Sequence, residues 1–256
     1  MRKTTAPILE FPGSGKAVIE PARLKAGQDR IPGRCVLCFF GEVMKKLRRK
    51  GELKQIHRLT SEGDPNPVYT LGRGKNQLAV CRPGMTAPYA GIVLEELIAL
   101  GGRKFIACGG AGVLDPAITP GKLILPTAAL RDEGTSYHYR KSGRFSRPHP
   151  DAVRAIRAAC RHGNHEILEG KTWTTDAVFR ETPEMIKRRR SEGCITVEME
   201  AAAFFAVASF RKVTFGQILY AGDDVSGNAW DPRGWSRRFG VREELFWLAV
   251  DACRRL

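Results

Sequence analysis

Residues 78–112 read LAVCRPGMTAPYAGIVLEELIALGGRKFIACGGAG. The stretch opens with a short apolar run, Leu78–Cys81, turns at Arg82-Pro83-Gly84-Met85-Thr86-Ala87, and enters a helical pattern over Pro88–Leu100. A second apolar run, Lys104–Cys108, follows and ends in Gly109-Gly110-Ala111-Gly112. Pro88 suits the first turn of a helix, where its missing N–H leaves no bond unmade. Several apolar runs are continuous rather than alternating, as in strands covered by helices on both faces.

The same strand-then-helix order extends both ways. Further strand-like runs are Cys35–Phe40, Val68–Leu71, Lys122–Pro126, Ile167–Trp173, Ile195–Val197 and Thr214–Tyr220. Helical patterns cover Val43–Lys50, Asp151–His162, Pro183–Glu192, Met199–Phe210 and Val241–Leu256. This alternation predicts an α/β fold, a single-domain α/β/α sandwich around a mixed, largely parallel sheet. Residues 1–33, rich in Pro, Gly and charge, read as an irregular N-terminal extension, and residues 34–256 as one domain without internal repeat or linker. A length of 256 residues fits that division.

Composition narrows the function classes. Hydrophobic residues make up 43% and charged residues 27%, ordinary globular proportions that argue against wholesale disorder. No apolar run reaches the roughly 18 residues of a membrane-spanning helix, and the N-terminus lacks the apolar stretch of a secretory signal. Lys plus Arg number 42 against 27 Asp plus Glu, a net charge of +15. The basic runs (Lys45-Lys46, Lys187–Arg190, Arg237-Arg238, Arg254-Arg255) are far apart, so they read as solvated helix faces that steer anionic ligands, with no specific nucleic-acid partner. The seven cysteines lie mostly in apolar segments. Cys35 and Cys38 have metal-site spacing but no second pair to complete four ligands, so they read as core hydrophobes and no metal is expected. Reduced thiols point to the cytoplasm. Gly13-Ser14-Gly15-Lys16 is not a phosphate loop, because Glu10 stands where its first Gly belongs and Ala17 replaces the Ser or Thr.

In folds of this class ligands gather at the carboxyl ends of strands, so the turns there carry the candidate sites. Phe39-Phe40-Gly41-Glu42 runs a strand into a helix with Lys45 one turn on, a cradle for an anion. The glycines at 109, 110 and 112 let a ligand lie against the backbone, or let strand and helix pack tightly. In Val197-Glu198-Met199-Glu200-Ala201-Ala202 two carboxylates bracket a Met, and at most one of them readily faces a given pocket. Either also suits a helix start electrostatically. Asp223 and Asp224 follow a buried strand, a common place for an acid or base as well as for a turn.

Taken together, these residues resemble the nucleoside phosphorylase and nucleosidase superfamily of hexameric purine nucleoside and uridine phosphorylases. Val197–Ala202 resembles its V-E-M-E-A-A signature, Gly84-Met85-Thr86-Ala87-Pro88 its G-M-G-I-P turn with one Gly changed to Thr, and Gly109–Gly112 its G-S-C-G loop. Asp223 falls where purine-specific members have S-D. The match runs in order from about residue 35 to the C-terminus. The resemblance implies cleavage of the N-glycosidic bond of a nucleoside by a pentosyltransferase, with phosphate as co-substrate and no cofactor. It makes Glu200 the carboxylate that grips the ribose and offsets oxocarbenium charge, with Met199 packed on the sugar. Asp223 becomes the group that assists the leaving base, its pKa raised by burial or by Asp224. Val178 and Phe179 pack on the base, while Gly41, Lys45, Gly109 and Gly110 hold phosphate. It further implies a homo-oligomer, dimer or hexamer, for which exposed Trp230, Trp235 and Phe239 supply apolar surface; alternatively those rings pack on the C-terminal helix.

The departures are specific. The family's phosphate-binding Arg is Ala107 here, its Ser or Thr is Gly110, and its helix Arg is Lys45, which lacks the planar two-point grip. Arg82 and Arg131 are the cations available to compensate. The hydrolytic branch uses water without that Arg, yet its catalytic Glu falls near Lys46. Uridine-specific base readers align with Thr182 and Glu184. The alternatives are therefore a hydrolytic nucleosidase and a catalytically silent ligand-binding member.

Overall fold

The computed structural model describes residues 6–13, 15–24, 27–60 and 65–256. In chain order the elements are α1 (Pro21–Leu24), β1 (Arg34–Cys38), α2 (Gly41–Arg49), β2 (Leu53–Leu59), β3 (Asn66–Leu71), β4 (Leu78–Cys81), α3 (Ala87–Ala99), β5 (Lys104–Val113) and β6 (Leu123–Asp132). There follow α4 (Ser136–Tyr139), β7 (Phe145–Ser146), α5 (Pro150–His162), β8 (Ile167–Thr175), α6 (Pro183–Ser191), β9 (Cys194–Glu198), α7 (Ala201–Arg211), β10 (Thr214–Asp224) and α8 (Phe239–Arg254). All strands belong to one sheet flanked by helices, the mixed α/β sandwich expected. Residues of α2, α5 and α8 join one core cluster with Val36, Ile106 and Ile218; residues of α3 and α7 join the other with Leu37, Phe105 and Phe215. Because α7 lies within the structure, it is apolar all round and buries Ala201 to Ala208.

The sheet is mixed, as expected, with the longer pairings parallel. β1–β4, β1–β5, β5–β10, β6–β8 and β8–β9 pair in parallel, whereas β2–β3, β3–β4, β5–β9, β6–β10 and β6–β7 are antiparallel. Strands β5, β10, β6, β8 and β9 close into a ring. Strand β2 has no periodic signature because only Leu53 and Leu59 are buried; its Lys54, Gln55 and Arg58 face outward. Several strands run beyond their apolar runs: β5 continues through Gly109–Gly112, and β10 through Asp223 and Asp224.

One irregularity positions the site. Along one side of β5, β1 pairs as far as Cys38 with Cys108, and β9 begins from the other direction with Val197 against Gly112. The carboxyl ends of β1 and β9 therefore meet head to head beside Gly109–Ala111. The extension folds back on this body: Ile31 N–H donates to the Leu100 carbonyl at 3.0 Å, and Glu20 pairs with Arg211 at 3.6 Å. Ser14 of the rejected phosphate-loop lookalike lies outside the described residues.

Candidate active site

A cavity of 760 Å³ occupies the gap between β1 and β9, and Glu200 and Asp223 both line it. Met199, Val178, Phe179 and Gly110 share its wall. A second hollow of 350 Å³ contains Gly41, Lys45 and Arg48, and the two have Arg82 and Gly84 in common. Gly109 lines neither; a Cβ there would stand 3.0 Å from the Phe39 ring. The glycines of this segment thus serve close packing within a strand. A Cβ on Gly110 would meet Tyr220 at 3.0 Å, and one on Gly112 would meet Val197 at 3.1 Å.

The two acids of Glu198-Met199-Glu200 divide their tasks. Glu198 ends β9 and accepts from Thr174 Oγ1 at 2.6 Å, from the Glu200 N–H at 2.8 Å and from the Ala201 N–H at 2.6 Å. It therefore satisfies free N–H groups at the start of α7. Glu200 sits just before α7, 7% exposed, and accepts from the Thr86 N–H at 2.7 Å. Burial pushes its carboxyl up to about 8, with the charge of Glu198 adding to the rise. Glu198 is pushed up to about 7 by burial, against the pull of its hydrogen bonds.

Thr86 presents that N–H from a backbone at φ 73° and ψ 147°. Left-handed φ is rare for a β-branched residue, so this is stored strain. Nearby Gly84, at φ 77°, has no room for a side chain, since a Cβ would overlap the Tyr89 ring at 2.0 Å.

The register of β10 against β5 slips between Ala221 and Asp224, and such an irregularity re-aims side chains. Asp223 takes a hydrogen bond from Trp230 Nε1 at 2.7 Å. Asp224 instead pairs with Arg233 and accepts the Ser226 N–H at 2.8 Å, so it is engaged away from the cavity.

The missing phosphate ligands have physical explanations. Ala107 is fully buried in core, and Tyr220 fills the space a side chain at 110 would need. Arg131 is committed elsewhere, donating to Ser136 Oγ at 2.8 Å and to the Lys141 carbonyl at 2.8 Å. Arg82 is in place: its guanidinium carbon lies 3.6 Å from where a Cβ on Gly41 would be. Among the described residues no side chain caps the start of α2, which leaves N–H groups there for an anion. Lys46 pairs with Glu243 at 2.6 Å. Thr182 caps α6, accepting the Met185 N–H at 3.3 Å, and Glu184 lines neither cavity.

Three lining residues escaped the sequence reading. Arg242 of α8 enters the cavity wall, donating to Glu42 at 2.9 Å and to the Tyr220 hydroxyl at 3.1 Å. Gln217 is 1% exposed, its amide oxygen has no hydrogen-bond partner among the described residues, and it stands opposite Ala107 in register. Glu181 is pushed up to about 7, first by burial and then by the charge of Asp223. Gln217, inside an apolar strand, and Arg242, in the charged first turns of α8, carry no motif; only Glu181, next to the Thr182-Pro183 helix start, had a local signal.

Among the described residues no cluster of His, Cys, Asp or Glu is arranged to hold a metal ion, and no helix is long and apolar enough to cross a membrane.

A cavity lined by Glu181, Glu198, Glu200 and Asp223 beside the start of α2, set in this mixed sheet, defines a class. The chain belongs to the phosphorylase superfamily, which it matches over residues 34–240. It is 32% identical over 184 residues to a guanosine phosphorylase of Halorubrum lacusprofundi, covering 72% of this chain and 76% of that protein. It is 25% identical over 155 residues to a uridine phosphorylase of Haemophilus influenzae, covering 55% and 62%. Its fold is similar to that of purine nucleoside phosphorylase from Toxoplasma gondii, with TM-score 0.73, 18% identity and coverage of 88% and 91%. AMP nucleosidase from Bacteroides thetaiotaomicron shares the fold at TM-score 0.69, with 22% identity and 85% of each chain covered.

Proposed function

We propose that this chain is a nucleoside phosphorylase, a pentosyltransferase that splits the N-glycosidic bond of a nucleoside with inorganic phosphate as acceptor. One observation carries the reading: Glu200 and Asp223 line a single cavity whose wall continues, through Arg82 and Gly84, into the basic hollow at the start of α2. The ribose lies against Glu200 and Met199, and Glu200 accepts its hydroxyl hydrogens. As the C1′–N bond breaks, positive charge grows on the sugar and the Glu200 carboxylate offsets it. Asp223 hydrogen-bonds the departing base. A phosphate oxygen bonds to C1′, and ribose 1-phosphate and free base are released. Arg82, Lys45 and the N–H groups near Gly41 hold the phosphate, and the Gln217 amide supplies a polar partner beside Ala107. Arg82 restores the planar guanidinium grip that Lys45 cannot make.

The loss of the Arg and Ser ligands favours a second reading, hydrolysis by water. A panel of nucleosides, incubated with and without phosphate, separates the two. Release of ribose 1-phosphate only when phosphate is present supports phosphorolysis; free ribose at equal rates in both buffers overturns it. Glu200→Ala and Asp223→Ala each lower turnover by about 10²-fold or more. A wild-type chain without turnover on any nucleoside would make it a silent binder.

Phe179, Met85 and Trp230 line the cavity at 96%, 71% and 61% exposure. This apolar rim supports a homo-oligomer in which a second copy covers the mouth. Trp235 is partly held by its own chain, 5.5 Å beneath Arg242. Light scattering that returns a 28.3 kDa particle refutes the oligomer. The seven buried free thiols support a reducing, cytoplasmic setting.

A further inference from the structure

Arg242 lies near the start of α8, on the opposite face of the sheet from α7, and its side chain reaches the cavity wall. Only 11% of that side chain is exposed. Its guanidinium sits among three rings, 5.4 Å from Phe40, 5.8 Å from Tyr220 and 5.5 Å from Trp235, which fix its place. It donates through Nε to the Tyr220 hydroxyl at 3.1 Å and through Nη1 to Glu42 at 2.9 Å. A guanidinium carries more N–H donors than these bonds use, and among the described residues no other hydrogen-bond acceptor takes the rest. A largely buried cation with donors to spare favours an anion.

The surroundings place that anion. Glu42 belongs to the first turn of α2, next to Gly41, which Arg82 also approaches. Arg242 thus brings a second guanidinium to the same helix start. Gly110 makes the arrangement possible. It pairs in register with Tyr220, and a Cβ on it would stand 3.3 Å from the hydroxyl oxygen that Arg242 holds. A side chain at 110 would press on the Tyr220 ring and displace its partner.

We propose that Arg242 is an acceptor-binding residue, whose spare N–H groups grip inorganic phosphate at the start of α2 while Glu42 competes with phosphate for the same guanidinium. The inference rests on the phosphorolysis reading above. The cation absent from β5 at Ala107 is supplied by α8, through a gap that the small residue at 110 keeps open.

The test titrates inorganic phosphate, and in a second arm ribose 5-phosphate, into the full chain by calorimetry in phosphate-free buffer. Arg242→Gln, checked for retained fold by circular dichroism, weakens inorganic phosphate about ten- to a hundredfold. Arg242→Lys keeps the charge without the planar fork and weakens it about three- to tenfold. Glu42→Gln removes the competing charge and tightens phosphate about three- to tenfold. A merely structural Arg242 gives the opposite sign, because loss of either member of the pair would loosen the start of α2 and weaken phosphate alike. Unchanged affinity in Arg242→Gln, weaker binding in Glu42→Gln, or an effect confined to ribose 5-phosphate overturns the assignment and leaves phosphorolysis standing. A wild type that takes up no phosphate overturns the acceptor reading and this assignment together. If Arg242→Gln does not fold, the sign of the Glu42→Gln change decides.

Discussion

Replacing Thr86 by glycine should stabilise this protein without disabling it. Thr86 holds φ 73° and ψ 147°, where a β-branched residue is strained by about 1–3 kcal/mol. Its side chain makes no capping bond to α3, so little is lost with it. Glycine relieves the strain but adds about 0.5–1 kcal/mol of chain entropy to the unfolded state. The balance is about 1 kcal/mol in favour of Thr86→Gly, or about 2–4 °C in Tm for a chain of this length. Thermal unfolding followed by circular dichroism measures it, with Thr86→Ala as the control that keeps a Cβ and therefore most of the strain. Because the bond to Glu200 comes from the backbone N–H, kcat/KM should stay within about threefold. A glycine variant that melts at or below both the wild type and Thr86→Ala refutes the strain argument. A tenfold loss of activity with the fold intact shows instead that the strained geometry is what aims Glu200.

Three further outcomes follow from the site. Arg82→Ala should raise the KM for phosphate about ten- to a hundredfold and leave the nucleoside KM within a few fold; an unchanged phosphate titration removes Arg82 from the acceptor site. In the proposed mechanism Glu200 acts ionised, so kcat/KM should rise with pH through a macroscopic step of the Glu198–Glu200 pair near 8, and Glu198→Gln should move that step down. The stability consequence has a definite sign: the folded chain holds a proton on Glu200 that the unfolded chain has released. The contribution is fully present below the usual 4.5 and is lost as pH rises to about 8, so urea midpoints of the wild type should fall over that window relative to Glu200→Gln.

Local physics made much of this protein legible in its residues. Short continuous apolar runs bounded by turn residues fit strands shielded on both faces, and Pro88 and Pro183 mark helix starts, so the α/β architecture and most elements followed from pattern. The Val197–Ala202 signature named the acid pair, and the resemblance assigned the ribose to Glu200, but the task of Glu198 did not follow. Both acids line the cavity, and the bonds that hold Glu198 at the start of α7 and Glu200 in place come from Thr174 and Thr86, brought from other elements. The ring closure, the head-to-head meeting of β1 and β9, and the strand character of Gly109–Gly112 are long-range pairings with no local period to announce them. Likewise, Ala107 and Gly110 read as losses in one dimension. Only the packed structure shows Tyr220 filling the vacated space and Arg82 reaching the start of α2, because a cation far along the chain joins a site through tertiary contact alone.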